Sequence, residues 1–203
     1  RRAAARGAGE TAVNTVSERR RAPALDVAVV GGGMVGAAAA LALAKAGFVV
    51  TGYDLDAGKA KAAAEAGFGF VSEPGELFAT SERIVFSLPT AQDVAAMLEA
   101  HATVVGTQAD GRVILIDTST SEPDVSRALA RRLADAGHGF LDAPVSGGPA
   151  GAASGKLTMM IGGDEADLAE ARTVVEELAA KILHVGPSGA GNVAKLVNNL
   201  LVA

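Results

Sequence analysis

The sequence predicts an α/β fold, a doubly wound and mostly parallel sheet with helices packed on it. Short apolar runs alternate with longer helical stretches from residue 26 onward. The connections between them are short and rich in Gly. The turn "GGGMVG" joins the first apolar run to an Ala-rich helix. Alternation of this kind reads as strands joined by crossover helices, which makes neighbouring strands parallel.

Taken in order, strands are expected at 26–30, 49–53, 83–87, 113–117, 139–141, 157–161 and 182–185. Helices are expected at 34–46, 57–66, near 75–79, at 91–100, 122–136 and 165–180, and from 190 onward. Capping residues support three of these helices. Thr90 precedes "AQD", Ser121 precedes "EPD" with Pro123 in the first turn, and Asp164 opens "DEADLAEA". The last stretch, "SGAGNVAKLVNNLLVA", carries apolar Val193, Leu196, Val197, Leu200 and Leu201. A face that apolar should pack on more protein. We therefore expect the start of a long inter-domain helix, with an all-α C-terminal domain absent from this chain.

Composition excludes several classes. The 203 residues include no Cys, so disulfides and thiolate chemistry are excluded. The three His (His101, His138, His184) are widely separated, so no metal site is expected. No window is long and apolar enough to span a bilayer. Net charge is −5, but residues 1–24 hold six Arg against two Glu. The remainder has 12 basic against 21 acidic residues, an unfavourable surface for nucleic acid. Residues 1–24 read as a disordered basic leader, or alternatively as a mitochondrial transit peptide. The first reading leaves a cytoplasmic protein and the second a matrix one. Residues 25–188 form the expected nucleotide-binding domain, and 189–203 the truncated helix.

The glycine turn carries chemistry. "VAVV" followed by Gly31-x-Gly33-x-x-Gly36 and a helix is a Rossmann-like dinucleotide signature. Gly31 permits the tight turn, Gly33 lets backbone approach a pyrophosphate, and Gly36 lets helix lie close on strand. Free N–H groups around Met34 and Val35 would meet the phosphates. Asp54 ends the second strand, 18 residues after Gly36, where a carboxylate accepts both ribose hydroxyls. It would repel a 2′-phosphate, and Leu55 rather than Arg follows it. NAD is expected over NADP. The glycine turn by itself fits FAD as well. "GAASGKLT" is not a P-loop, because its glycines are one residue too close and Leu157 replaces the metal-binding hydroxyl.

Lys195 is the candidate acid/base. It has apolar neighbours Val193, Leu196 and Val197, with Asn198 and Asn199 three and four residues on, one helix turn away. Burial beside a cationic nicotinamide would lower its pKa toward neutrality. "PVSGG" reads as a hydroxyl and bare N–H groups suited to a carboxylate. "LIDTSTSEP", "FLDAPVSGGPAGAASGKLTMMIGG" and "GPSGAGNVAKLVNN" together resemble the β-hydroxyacid dehydrogenases. The resemblance covers residues 26–203 in the family's order.

That resemblance implies an NAD-dependent oxidoreductase interconverting a small 3-hydroxy acid and its semialdehyde or keto acid. It implies Lys195 as acid/base. It implies Ser146, Gly147, Gly148, Asn199 and Asn198 as substrate-binding, with Asp142 and Pro144 shaping the loop. It places Leu88, Pro89 and Thr120, with neighbouring Ser119, on the cofactor. It further implies a homo-oligomer built through the C-terminal domain. Gly32 and Val35 depart from the family, which favours Leu or Phe and Met there. A catalytically silent NAD-binding or assembly module of the same fold is the alternative, and a flavoprotein the third reading.

Overall fold

The computed structural model describes residues 26–102, 105 and 111–202. The basic leader expected at 1–24 lies outside them. The first half runs β1 (Asp26–Val30), α1 (Met34–Ala46), β2 (Val49–Tyr53), α2 (Lys59–Ala66), β3 (Gly69–Phe70), α3 (Pro74–Thr80), β4 (Arg83–Phe86) and α4 (Ala91–Ala100). The second half runs β5 (Ile114–Asp117), α5 (Pro123–Asp135), β6 (Gly139–Asp142), β7 (Val145–Ser146), α6 (Gly148–Ser154), β8 (Thr158–Gly162), α7 (Glu165–Leu178), β9 (Lys181–Gly186) and α8 (Ala190–Val202).

One sheet holds the strands in the order β3-β2-β1-β4-β5-β6-β8-β7, with β9 paired to β8. Pairs from β3 through β6 are parallel. The sheet is mixed at its far end, where β8 runs antiparallel to β6 and β7 and parallel to β9. Strand order reverses between β1 and β4. Ligands of open α/β sheets sit at such a switch point, outside the carboxyl ends of the strands.

The sheet is buried on both faces, which is why its strands are apolar without alternation. In β5, Ile114 and Ile116 join one core cluster with Leu43, Leu141 and Ile161. Leu115 joins the opposite cluster with Leu77, Phe78, Phe86 and Phe140. Among the described residues no helix is long and apolar enough to cross a membrane.

The departures from the expected elements have local causes. α2 starts at Lys59 because Asp54 and Asp56 side chains accept from Asp56 and Gly58 N–H in consecutive Asx turns. The short strands β3 and β7 are too brief to show a hydrophobic period. α6 forms where a loop was expected, with Gly147 and Gly148 at positive φ setting its entry. Thr90 caps α4 in a capping box with Asp93. Ser121 does not cap α5, whose cap is Glu122 without a side-chain bond; the Ser121 Oγ accepts from Ala91 N–H of α4 instead, at 2.9 Å. Asp164 occupies the cap position of α7 but makes no side-chain cap bond. α7 stops at Leu178 because Ala179 is extended.

Candidate active site

The glycine turn has the geometry its sequence asks for. Gly31 has φ +98°, and its N–H donates to Tyr53 C=O at 2.8 Å. A Cβ on Gly31 would collide with the Ser87 carbonyl oxygen, and one on Gly36 with the Gly31 carbonyl oxygen. A Cβ on Gly33 would meet nothing within 4 Å. Gly33 thus borders open space at the N-terminus of α1, where no side chain caps the helix and its first turn carries no acid. Met34 is exposed and Val35 half-buried there. A cleft of about 740 Å³ opens beside this turn, bordered by Gly33, Asp54, Leu55, Leu88, Pro89 and Met97 among others. The uncapped helix end and the open space over Gly33 fit a pyrophosphate.

Asp54 is more heavily engaged than its sequence position indicates. Its Oδ2 accepts from Gly32 N–H at 2.5 Å and from Lys59 Nζ at 2.8 Å. Its Oδ1 accepts from Asp56 N–H at 2.8 Å. Burial pushes the carboxyl up, but Lys59 and these N–H groups outweigh it and hold it below the usual carboxylate range. Oδ1 keeps a further lone pair for a ribose hydroxyl, whereas Oδ2 already accepts two bonds. Sequence reasoning missed Lys59. The signal was a cation at the start of α2 opposite an unusual Gly32. A side chain at Gly32 would run into Lys59, so this departure from the family makes room for the ion pair.

The loop after β5 is clamped on each side of Thr120. Thr118 Oγ1 donates to Phe86 C=O at 2.7 Å. Ser119 Oγ accepts from Leu88 N–H at 3.2 Å, and Ser119 N–H donates to Asp117 Oδ1 at 2.9 Å. Ser121 N–H donates to Asn192 Oδ1 at 2.9 Å. Thr120 itself is exposed between these fixed neighbours, and Pro89 is exposed on the adjoining strand end.

The second cluster lies where α8 crosses the sheet. Asn198 Nδ2 donates to Ser146 Oγ at 3.3 Å, so these two residues are brought together. Gly147 and Gly148 are exposed, and so is Asn199. Lys195 is half-buried, and burial moves its amine below the ordinary lysine value. Asp142 holds the start of α8: Oδ1 accepts from Gly189 N–H at 2.7 Å and Oδ2 from Asn192 N–H at 2.9 Å. It anchors this helix, whereas Pro144 braces the loop by accepting from Met160 N–H at 3.0 Å. The motif "GAGN" now has a physical reading. Gly189 has φ +89°, and a Cβ on Gly191 would strike the carbonyl oxygens of Asp142 and Met160. Asn192, also missed from sequence, is fully buried.

Asp117 is a buried carboxyl at the end of β5, in register with Asp142. Its Oδ2 has no hydrogen-bond partner among the described residues. Burial pushes it up to about 6, and the Asp142 charge adds to the shift against the Ser119 bonds. The folded state therefore holds a proton that the unfolded state releases near pH 4. Stability from this group falls as pH rises from about 4 to about 6. Asp117→Asn is expected to raise the Tm at pH 7, by on the order of 2 kcal/mol of stability. The gain should shrink toward pH 4 in thermal unfolding. A Tm below wild type at pH 7 would show that the charge is compensated. Among the described residues no group of three His, Asp or Glu is placed to hold a metal ion.

Residues 26–186 match the family described as the NAD binding domain of 6-phosphogluconate dehydrogenase. The chain belongs to this family. It is 35% identical over 188 residues to mouse (Mus musculus) mitochondrial 3-hydroxyisobutyrate dehydrogenase, covering 93% of this chain and 56% of that protein. It is 36% identical over 177 residues to the NAD-dependent L-serine dehydrogenase of Pseudomonas aeruginosa, covering 87% of this chain and 59% of that one. The solved structure of Mycobacterium tuberculosis 3-hydroxyisobutyrate dehydrogenase with L-serine superposes with a TM-score of 0.81 at 35% identity, over 88% of this chain and 60% of that one. The chain spans somewhat more than half the length of these relatives. These likenesses bear out the Rossmann-like fold and NAD as the cofactor, and they leave the flavoprotein reading without support.

Proposed function

We propose that this chain is the cofactor-binding part of an NAD-dependent oxidoreductase that interconverts a small 3-hydroxy acid and its semialdehyde or keto acid. The observation that carries this reading is α8: it holds a half-buried Lys195 one turn from Asn198, which bonds Ser146 of the "PVSGG" loop. Named relatives that act on 3-hydroxyisobutyrate and L-serine support the substrate class. Gly31, Gly33, Met34, Val35 and Gly36 would hold the pyrophosphate, Asp54 the adenosine ribose, and Leu88, Pro89 and Thr120 the nicotinamide side. Bound NAD would supply the hydride acceptor. Ser146, Gly147 and Gly148 bind the substrate carboxylate, and Asn198 and Asn199 orient the reacting oxygen. Lys195 takes the hydroxyl proton in oxidation and returns it in reduction. Its lowered pKa keeps part of the amine neutral nearer physiological pH. The 3-hydroxy acid is a partner of the whole protein, which assembles as a homo-oligomer through a further helical domain.

The test is a screen of full-length protein with 3-hydroxyisobutyrate, serine, glycerate and threonate, using NAD and NADP. Reduction of NAD with at least one of them is expected. Tight NAD binding without turnover of any 3-hydroxy acid would favour the silent-module alternative. Asp54→Ala should weaken NAD roughly tenfold to a hundredfold, the loss of charge-assisted hydrogen bonds worth about 1.5–3 kcal/mol. NADP affinity should fall much less. Titration with both cofactors checks this, and unaltered NAD affinity would remove Asp54 from the ribose site.

A further inference from the structure

Asn192, Lys195 and Asn198 follow one another at intervals of three along α8, so they share one stripe of the helix. The two amides at the ends of this stripe are anchored. Asn198 bonds Ser146 Oγ at 3.3 Å. Asn192 is fully buried, and all its polar groups near the loop are used. Its N–H donates to Asp142 Oδ2 at 2.9 Å, its Oδ1 accepts from Ser121 N–H at 2.9 Å, and its Nδ2 donates to buried Ser126 Oγ at 3.0 Å. Ser121 in turn bonds Ala91 N–H, and Ser119 bonds Leu88 N–H. A continuous set of bonds thus runs from the Leu88–Pro89 strand end, past Thr120, into the helix that carries Lys195.

The position demands an amide. It must accept from a backbone N–H and donate to a hydroxyl at once, without charge. An apolar residue would take these partners from the half-buried Ser121 N–H and the buried Ser126 hydroxyl. An Asp would lose the donor and set a second carboxylate beside Asp142. We infer that Asn192 is a positioning residue acting through Lys195: it fixes the rotation and depth of α8 against the Thr120 loop, and so the place of the amine. This rests on the reading of Lys195 as acid/base, but its deciding measurement does not require turnover.

The experiment uses full-length protein, its Asn192→Ala, Asn192→Asp and Ser126→Ala variants, and Lys195→Ala. Lys195 is titrated by NMR of ¹³C-methylated lysines, with its signal assigned from Lys195→Ala. In wild type the amine should titrate below other lysines. In Asn192→Ala it should move up toward the ordinary lysine range, and kcat should fall about 10²-fold, as small misplacements of catalytic groups do. NAD affinity should stay within about threefold, because no atom of Asn192 lines the cofactor cleft. Ser126→Ala, which loses only the Nδ2–Oγ bond, should shift the titration in the same direction by less, and Asn192→Asp, which also adds a charge beside Asp142, should raise it too. An unmoved Lys195 titration in folded Asn192→Ala overturns the inference. If Asn192→Ala does not fold, an unmoved titration in Ser126→Ala overturns it equally. Full turnover by Lys195→Ala would instead sink the acid/base reading, and the titration would still report on the positioning.

Discussion

Lys195→Ala should lower turnover of the full-length protein by about 10²–10⁴-fold, the usual worth of a positioned acid/base. NAD affinity should stay nearly constant, because Lys195 lies outside the residues bordering the cleft at the glycine turn. The two quantities are separable by steady-state kinetics and cofactor titration. Burial lowers the Lys195 amine from its ordinary value, so wild-type kcat/KM should rise with pH through a midpoint below that of a free lysine. In Lys195→Ala this limb should vanish. An exogenous amine should restore part of the rate, since it can supply the missing base. Unchanged turnover would mean that another group carries the proton.

Gly36→Ala should damage both stability and cofactor binding. The added Cβ would meet the Gly31 carbonyl carbon and oxygen and lie 3.2 Å from Ser87 Cβ. Two of these atoms are backbone, so nothing flexible can yield. The helix must move away from β1, at a cost of roughly 1–3 kcal/mol for overpacking. For a chain of this size that is a Tm lower by about 2–4 °C per kcal/mol. The larger effect falls on NAD, because the N–H groups at Met34 and Val35 move with the helix. A loss of tenfold or more is expected from a displacement of an ångström. Gly33→Ala is the contrast: its Cβ enters open space, so stability should hold while cofactor affinity falls. Equal effects of the two substitutions on Tm would contradict this division of roles.

The legible parts of the fold were those with a strong local signal. β1, α1, β2 and α4 stand where periodicity and caps place them, because each is apolar or amphipathic throughout and bounded by Gly or Thr90. β3, β7 and α6 were not legible. Two are only two residues long, and the third is a Gly- and Ala-rich turn of helix that propensity alone would not form. Ser121 misled for a related reason. A hydroxyl before a helix reads as its cap, but the nearer orphan N–H belonged to Ala91, 30 residues earlier in the chain.

By itself the sequence determined the α/β class, the place of the glycine turn, and the residue types available for a dinucleotide, a carboxylate and a proton. Those depend on local pattern: spacing of glycines, runs of apolar residues, a Lys followed by two Asn. Only the tertiary structure decided how these groups are held. It paired Lys59 with Asp54, set Asp142 beneath the start of α8, and placed Asn192 between Ser121 and Ser126. Each of these contacts joins elements far apart in the chain or across a turn, and one buried polar group must find a partner wherever the packing brings one. No periodicity encodes that choice, which is why the residues positioning Lys195 were visible only after the helix had been laid across the sheet.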